Sequence, residues 1–207
     1  VAAQAAKNLV PTTLELGGKS PTIIGTNANM ALAAERILFS KTLNAGQICL
    51  SPDYIFVKKD EKRNLISELQ KAYSKFFPEP NSHNQTSMVN KHHLKRMNSY
   101  LLDATKKGAK VESLGKNDDL DKNMISTKIV TEVNDGMDVM KHEIFGPVLP
   151  IMTYDSISDV VDYINKNDNP LGLYYFGRSQ SEQNFVINNT RSGGVTAVSY
   201  THLTLPT

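Results

Sequence analysis

The single cysteine of the chain, Cys49, lies in the stretch NAGQICLSP at positions 44–52. A helical pattern ends before it and a strand pattern begins after it, so we expect a junction loop, where functional groups concentrate. Ala45 and Gly46 are small and leave room for a substrate beside the sulfur. An isolated cysteine is most often an inert, buried residue. This setting instead favours a nucleophilic thiol, which needs a neighbouring base or charge to ionise it.

A second candidate stretch is LELGGKSP at positions 14–21. Glu15 belongs to the β-branched segment TTLEL (12–16), which predicts a short strand, and two glycines follow. An isolated glutamate on a strand usually faces solvent. A carboxylate at a strand end, beside glycines that permit close backbone approach, is also well placed for general-base catalysis. Lys19 could pair with a carboxylate or be solvated, and we favour a solvated or structural role.

The third stretch is HEIFGPVLP at positions 142–150. Glu143 and Phe145 precede Gly146 and Pro147, so they are expected on a turn that leads into a strand. The ordinary interpretation is a packed phenylalanine and a surface glutamate. The functional interpretation is an aromatic wall and a carboxylate that accepts hydrogen bonds from sugar hydroxyls.

The elements that must position these residues alternate between strands and helices. After TTLEL, strands are predicted at 21–25, 54–58, 110–114, 127–133, 148–154, 171–178 and 193–196. Helices are predicted at 1–8, 29–44, 61–77, 90–108, 157–167 and 181–191. Repeated strand–helix–strand units predict an α/β fold with a largely parallel sheet flanked by helices.

Composition excludes several classes of function. The net charge is +2 with both signs mixed along the chain, which gives no reason to expect nucleic acid or a membrane surface as partner. No apolar stretch approaches the roughly 20 residues of a membrane span. One cysteine allows no internal disulfide, and no Cys/His spacing predicts a metal site. We therefore expect a reducing, cytoplasmic setting and no metal.

Together and in this order, the three stretches resemble the motifs of the aldehyde dehydrogenase superfamily. LELGGKSP resembles its glutamate motif, NAGQICLSP its cysteine motif and EIFGPVLPI its third signature. The segments CLSPDYIFV and LGLYYFGR resemble the class 3 branch, and the bacterial coniferyl aldehyde dehydrogenase type is the most similar. The resemblance extends from residue 1 to Thr196.

The resemblance implies a mechanism for the oxidation of an aldehyde, aromatic or medium-chain, to a carboxylic acid. Cys49 would attack the aldehyde carbon and its backbone N–H would stabilise the oxyanion. The resulting thiohemiacetal would become a thioester, and Glu15 would activate the water that hydrolyses it.

The resemblance also implies NAD or NADP as cofactor. Glu143 would hold the hydroxyls of the nicotinamide ribose, and Phe145 would line the nicotinamide site. Leu16 and Gly17 would face the nicotinamide through their backbone. The intact protein would be a homodimer that acts on a small-molecule aldehyde.

In domain terms, the resemblance makes residues 1–15 the C-terminal tail of a Rossmann-like NAD(P)-binding domain and residues 16–196 the catalytic domain. Residues 197–207 fit no expected continuation, and we expect a non-native tail. The segment by itself is expected to be inactive, because the phosphate-binding turn and an oxyanion-stabilising asparagine of the superfamily are not in it.

Two other classes of function stay open. One is a cysteine-dependent hydrolase or acyl-transfer enzyme without nicotinamide, although His92 and His93 lie in a Lys-rich helix typical of a wet surface. The other is a catalytically silent relative that acts as a binding or structural subunit.

Overall fold

The computed structural model describes residues 1–78, 85–116 and 118–198. Its centre is a seven-stranded sheet with the strand order β3-β4-β5-β2-β1-β6-β7. In chain order the strands are β1 Pro21–Ile24, β2 Tyr54–Lys58, β3 Lys110–Ser113, β4 Lys128–Thr131, β5 Val148–Tyr154, β6 Gly172–Phe176 and β7 Gly194–Val198. Only β3 runs antiparallel, to β4, and the other five neighbouring pairs are parallel. The predicted α/β class with a largely parallel sheet is confirmed.

Apart from the exposed helix α1, Ala2–Ala6, the helices pack on the two faces of this sheet. The packed helices are α2 Met30–Thr42, α3 Lys62–Phe76, α4 Lys91–Lys106, α5 Asp138–Lys141, α6 Ile157–Lys166 and α7 Gln180–Asn189. Helix α2 starts at an N-cap, Asn29, whose side chain accepts a hydrogen bond from the N–H of Leu32. Helix α6 starts at Ser156 with a complete capping box.

Two hydrophobic clusters divide the helices between the faces. On β2, Ile55 and Val57 pack with the cluster that includes the buried residues of α2 and α3. Tyr54 and Phe56 point the other way, into the cluster formed with α4, α5, α6 and α7. This alternation is the period-2 geometry of a strand that is buried on both sides.

Two local predictions differ from the structure, and one short helix was not predicted. TTLEL (12–16) is not a strand: residues 10–20 have no regular structure, and 10–16 are exposed. Helix α2 ends at Thr42, and Leu43–Gly46 forms a 3₁₀ turn in which Leu43 is exposed. The short helix α5 was not predicted, because four residues are too few to show a helical period.

The three candidate stretches precede β1, β2 and β5, which are neighbours in the sheet. Because these strands are parallel, their amino ends lie at one edge of the sheet. Open α/β sheets more often bind ligands at the carboxyl ends of their strands. Here the topology brings the candidate residues together at the opposite edge.

Candidate active site

An ion pair joins the three stretches. The Lys19 ammonium binds one carboxylate oxygen of Asp53, whose side chain is 4% exposed. The other oxygen of Asp53 accepts a hydrogen bond from the N–H of Ile144 at 2.8 Å. The same ammonium donates to the carbonyls of Val139 and His142 at 2.9 and 3.0 Å. Lys19 is therefore paired with a carboxylate and has a structural role, so the solvated alternative is wrong.

The cysteine loop, residues 43–53, packs on the third stretch through a close contact between Gly46 and Gly146. Gly46 has a φ of 72°, in the region that favours glycine. A Cβ atom at Gly46 would lie 2.6 Å from the carbonyl oxygen of Gly146. No side chain fits in that gap, so the close approach of the two backbones requires glycine at position 46.

The backbone before Cys49 is strained. Asn44 and Ala45 have φ values of 51° and 54°, which a non-glycine residue rarely adopts. The Gln47 side chain fixes this turn, because its amide nitrogen donates to the carbonyl of Asn44 at 2.9 Å and its amide oxygen accepts from the N–H of Val89 at 2.9 Å. Strained backbone of this kind is concentrated at functional sites.

Cys49 itself is an exposed residue with a free thiol. The hydroxyl of Tyr174, on β6, donates a 2.5 Å hydrogen bond to the carbonyl of the next residue, Leu50. Burial raises the pKa of Tyr174, and a thiolate charge on Cys49 would raise it further. The tyrosine therefore lies near the sulfur. In residues 1–78, 85–116 and 118–198, no histidine hydrogen-bonds to Cys49.

Glu143 and Gly17 meet at the same edge. A Cβ atom at Gly17 would lie 2.5 Å from Oε1 of Glu143, so only glycine leaves space for this carboxylate. Burial raises the pKa of Glu143, while a hydrogen bond from the backbone of Gly18 and the charges of nearby cations oppose that shift. The carboxylate is half-buried, and it lies against the backbone of Gly17, for which the family resemblance implies a place at the nicotinamide site.

Phe145 lies on the same turn in strained backbone, with a φ of 48°. Its side chain is 38% exposed, between the buried neighbours Ile144 and Gly146. Arg96, on α4, reaches this turn and donates to the carbonyl of Glu143 at 3.3 Å and to that of Phe145 at 3.5 Å. The guanidinium thus fixes the turn that carries both predicted cofactor residues.

The structure does not bring Glu15 and Leu16 into this constellation. Both lie on the irregular segment before Gly17 and are exposed, Leu16 by 72%. No hydrogen bond or ion pair of the Glu15 carboxylate is present within the described part of the chain. Glu15, the expected base, is therefore close to Gly17 in sequence. Among the described residues, no contact holds its side chain at the site.

Sequence reasoning missed several residues that build the site. They are Lys41, Gln47, Asp53, Arg96 and Tyr174. Each of these residues contributes through a contact with a residue distant in the chain or through its burial. A local sequence pattern shows neither distant contacts nor burial. A signal existed only for Asp53, an acidic residue placed between the cysteine stretch and a predicted strand.

The described residues contain neither a cluster of potential metal ligands nor a helix that could span a membrane. Across these residues, no group of three or more His, Cys, Asp or Glu side chains is placed to hold a metal ion. A search of the same residues found no helix with both the length and the apolar character of a membrane span.

Comparison with known proteins identifies a family. The model of the aldehyde dehydrogenase family matches residues 1–207. A probable coniferyl aldehyde dehydrogenase of Caulobacter vibrioides is 44% identical over 197 residues, which cover 93% of this chain and 41% of that protein. Aldehyde dehydrogenase family 3 member A2 of Mus musculus is 37% identical over 194 residues, 93% of this chain and 39% of that protein.

A solved structure, the substrate-bound state of Staphylococcus aureus AldH, superposes with a TM-score of 0.89 at 37% identity. The matched region covers 95% of this chain and 42% of the AldH chain. The chain thus spans about two fifths of the length of the relatives it matches. The predicted resemblance to the superfamily, its class 3 branch and the coniferyl aldehyde dehydrogenase type is confirmed.

The Asp53 junction gives a stability prediction for the intact protein. Asp53→Ala should lower the free energy of unfolding by about 3 kcal/mol or more, because it leaves a partly buried ammonium and the N–H of Ile144 without their carboxylate. The control is Glu35→Ala, which breaks an exposed ion pair with Lys75 and should cost less than about 1 kcal/mol. Urea denaturation measures both, and equal costs would contradict the structural role of Asp53.

Proposed function

The chain belongs to the aldehyde dehydrogenase family, and from that premise we propose that the intact protein oxidises an aldehyde to a carboxylic acid with NAD or NADP. The observation that carries the proposal is the meeting of three stretches at one sheet edge: an exposed thiol, a Gly-Gly turn and a half-buried carboxylate. The coniferyl aldehyde dehydrogenase relatives support aromatic aldehydes as one substrate class. Medium-chain aldehydes are the alternative class of the proposal.

The family uses NAD or NADP, and the residues of this edge fit such a cofactor. Gly17 leaves its backbone open where a side chain would strike Glu143. The Glu143 carboxylate is the acceptor we assign to the ribose hydroxyls, and Phe145 is the adjacent wall. Leu16 and Gly17 offer backbone to the nicotinamide. When bound, the nicotinamide supplies the site that accepts a hydride from the substrate carbon.

The thiolate of Cys49 forms the new bond to the aldehyde carbon, and the carbonyl electron pair moves onto oxygen. The backbone N–H of Cys49 donates to that oxyanion, as acyl-transfer sites require. The substrate carbon would give its hydride to a bound nicotinamide, and the two-electron oxidation would leave a thioester on the sulfur of Cys49. Glu15 then takes a proton from water, whose oxygen attacks the thioester, and the carboxylic acid and the thiolate are released.

The rest of the proposal concerns the whole protein. Residues 1–15 form the tail of the cofactor domain, 16–196 form the catalytic domain, and 197–207 form a non-native tail, of which Ala197 and Val198 end strand β7 and 199–207 lie outside the described residues. The intact protein is a homodimer in the cytoplasm, as the resemblance and the single cysteine support.

A cysteine-dependent hydrolase without nicotinamide and a silent binding subunit are the competing functions. Aldehyde-dependent formation of NADH or NADPH by the intact protein separates the proposal from both. Alkylation of Cys49 without any turnover of aldehyde would favour the silent subunit.

Cys49→Ala should reduce both NAD(P)H formation and ester hydrolysis by the intact protein to no more than a trace, because both need the sulfur as nucleophile. The matched control is Ser51→Ala on the same loop, whose buried hydroxyl has no hydrogen-bond partner among the described residues. That variant should keep its rate within about twofold, since no transition-state contact is removed. Dehydrogenase activity well above a trace in Cys49→Ala would remove Cys49 from the mechanism.

Glu15→Gln should slow steady turnover by about two orders of magnitude or more, the usual scale for a lost general base. A stoichiometric burst of NAD(P)H should survive, because the thioester forms before Glu15 acts. Stopped-flow absorbance at 340 nm separates burst from steady state, and Glu35→Gln on α2 is the control. Normal steady turnover would show that Glu15 is only an exposed residue of the irregular segment.

Glu143→Gln should raise the cofactor KM about tenfold or slow single-turnover hydride transfer by a similar factor, since a charge-assisted hydrogen bond is worth about 1.5 kcal/mol or more. Burial raises the pKa of Glu143, so acidification should protonate this carboxylate at a pH above the usual carboxyl range. The wild type should lose cofactor affinity as that protonation occurs. The Gln variant should lack that pH dependence, and unchanged cofactor kinetics would contradict the assignment.

A further inference from the structure

Helix α2 carries a lysine on its buried face. The buried positions of α2 are Met30, Ala33, Ala34, Ile37, Leu38 and Lys41, which follow the spacing of an apolar helix stripe. The side chain of Lys41 is 0% exposed, so an ammonium occupies a position that the pattern assigns to a hydrophobic residue. A lysine is almost never fully buried unless it is paired.

Lys41 lies at the neck of the cysteine loop. It belongs to the last turn of α2, just before the loop begins. Its ammonium donates a buried 2.9 Å hydrogen bond to the carbonyl of Pro52, where the loop ends. Its own carbonyl lies 3.1 Å from the position of a Cβ atom at Gly46, so the loop folds back over Lys41. One side chain therefore joins the two ends of the segment that presents Cys49.

The charges around Lys41 are those of the candidate active site. The negative charges of Asp53 and Glu143 favour the ammonium, and that of Lys19 opposes it. Burial outweighs the favourable charges and lowers the pKa of Lys41 to about 8. The ammonium thus shares its electrostatic surroundings with the groups that hold the three stretches together.

The buried ammonium of Lys41 lowers the free energy of unfolding near neutral pH. Folding lowers the pKa of Lys41 from 10.5 to about 8, so in that interval the unfolded chain binds more protons than the folded chain. The resulting destabilisation is full below pH 8 and disappears as the pH rises towards 10.5. An apolar residue in such a position is often neutral or stabilising. The cost of the buried ammonium points to a role in the site.

We propose that Lys41 is a positioning residue for Cys49: its buried ammonium holds the Pro52 carbonyl and so closes the neck of the loop that presents the thiol. The proposal rests on the proposed function, in which Cys49 is the nucleophile. A charged donor makes a hydrogen bond about twice as strong as a neutral donor does. The loop is therefore held best while Lys41 keeps its proton.

The test uses the intact protein with Lys41→Met, which keeps the length of the side chain and removes the donor and the charge. We expect kcat to fall at least tenfold while the cofactor KM stays within twofold. We expect the melting temperature at pH 7 to stay the same or rise, with a smaller difference at pH 10. The matched control is Lys75→Met, the same change at an exposed ion pair on α3, and it should leave all three quantities unchanged.

The pH profile separates positioning from packing. Wild-type kcat should decline on the alkaline side with a midpoint near the pKa of Lys41, about 8. That decline should be absent in Lys41→Met, and in Lys41→Arg, which keeps its charge, it should move above pH 10. Persistence of the decline in Lys41→Met, a kcat within twofold of wild type, or a melting temperature that falls in step with kcat would each overturn the proposal.

A readout without aldehyde keeps this test separate from that of the proposed function. The rate at which iodoacetamide alkylates Cys49, followed by mass spectrometry of the Cys49 peptide, should be at least threefold slower at pH 7 in Lys41→Met than in wild type or Lys75→Met. If wild type forms no NAD(P)H, the proposed function has failed, and the alkylation rates still decide the role of Lys41. Equal alkylation rates in wild type, Lys41→Met and Lys75→Met would overturn the positioning role of Lys41.

Discussion

The ion pair between Lys19 and Asp53 is the contact on which the candidate site depends. Lys19 follows the glutamate stretch, Asp53 follows the cysteine stretch, and the second oxygen of Asp53 holds the N–H of Ile144 in the third stretch. A buried carboxylate is tolerated only when its oxygens are well paired. Both oxygens of Asp53 are paired only when all three stretches are in place. The three stretches are therefore expected to assemble together.

Around that junction, glycines set the distances. Gly46 allows the cysteine loop to lie on the backbone at Gly146, and Gly17 allows the Glu143 carboxylate to lie against the Gly-Gly turn. Rigid strands begin immediately after each stretch, so the site is mounted on the stiffest part of the fold. Cys49 and the segment 10–16 are both exposed. Buried contacts thus fix the framework, while the candidate residues Cys49 and Glu15 stay exposed to solvent.

The local signals in the sequence predicted most elements because strong periodicity and caps coincide with the strands and helices. Strand β5 has the predicted bounds, 148–154, since its apolar run is long and ends at polar residues. TTLEL failed for a physical reason: its β-branched residues favour a strand, but the sheet pairs β1 with β2 and β6 and leaves it no partner. Helix α2 shows the same limit, because the apolar pattern extended it to residue 44 and gave no sign that Lys41 is buried.

The sequence alone determined the α/β class, the three stretches and their resemblance to one family, because each depends on residue types at short spacing. It could also place each stretch before a strand. Only the tertiary structure decided that those strands are parallel neighbours, that Lys19 pairs with Asp53, that Arg96 holds the turn of Glu143, and that Lys41 lies under the cysteine loop. These facts join residues separated by 11 to 47 positions. Burial and partnership at such separations arise from the packing of the whole sheet, and no local pattern encodes them.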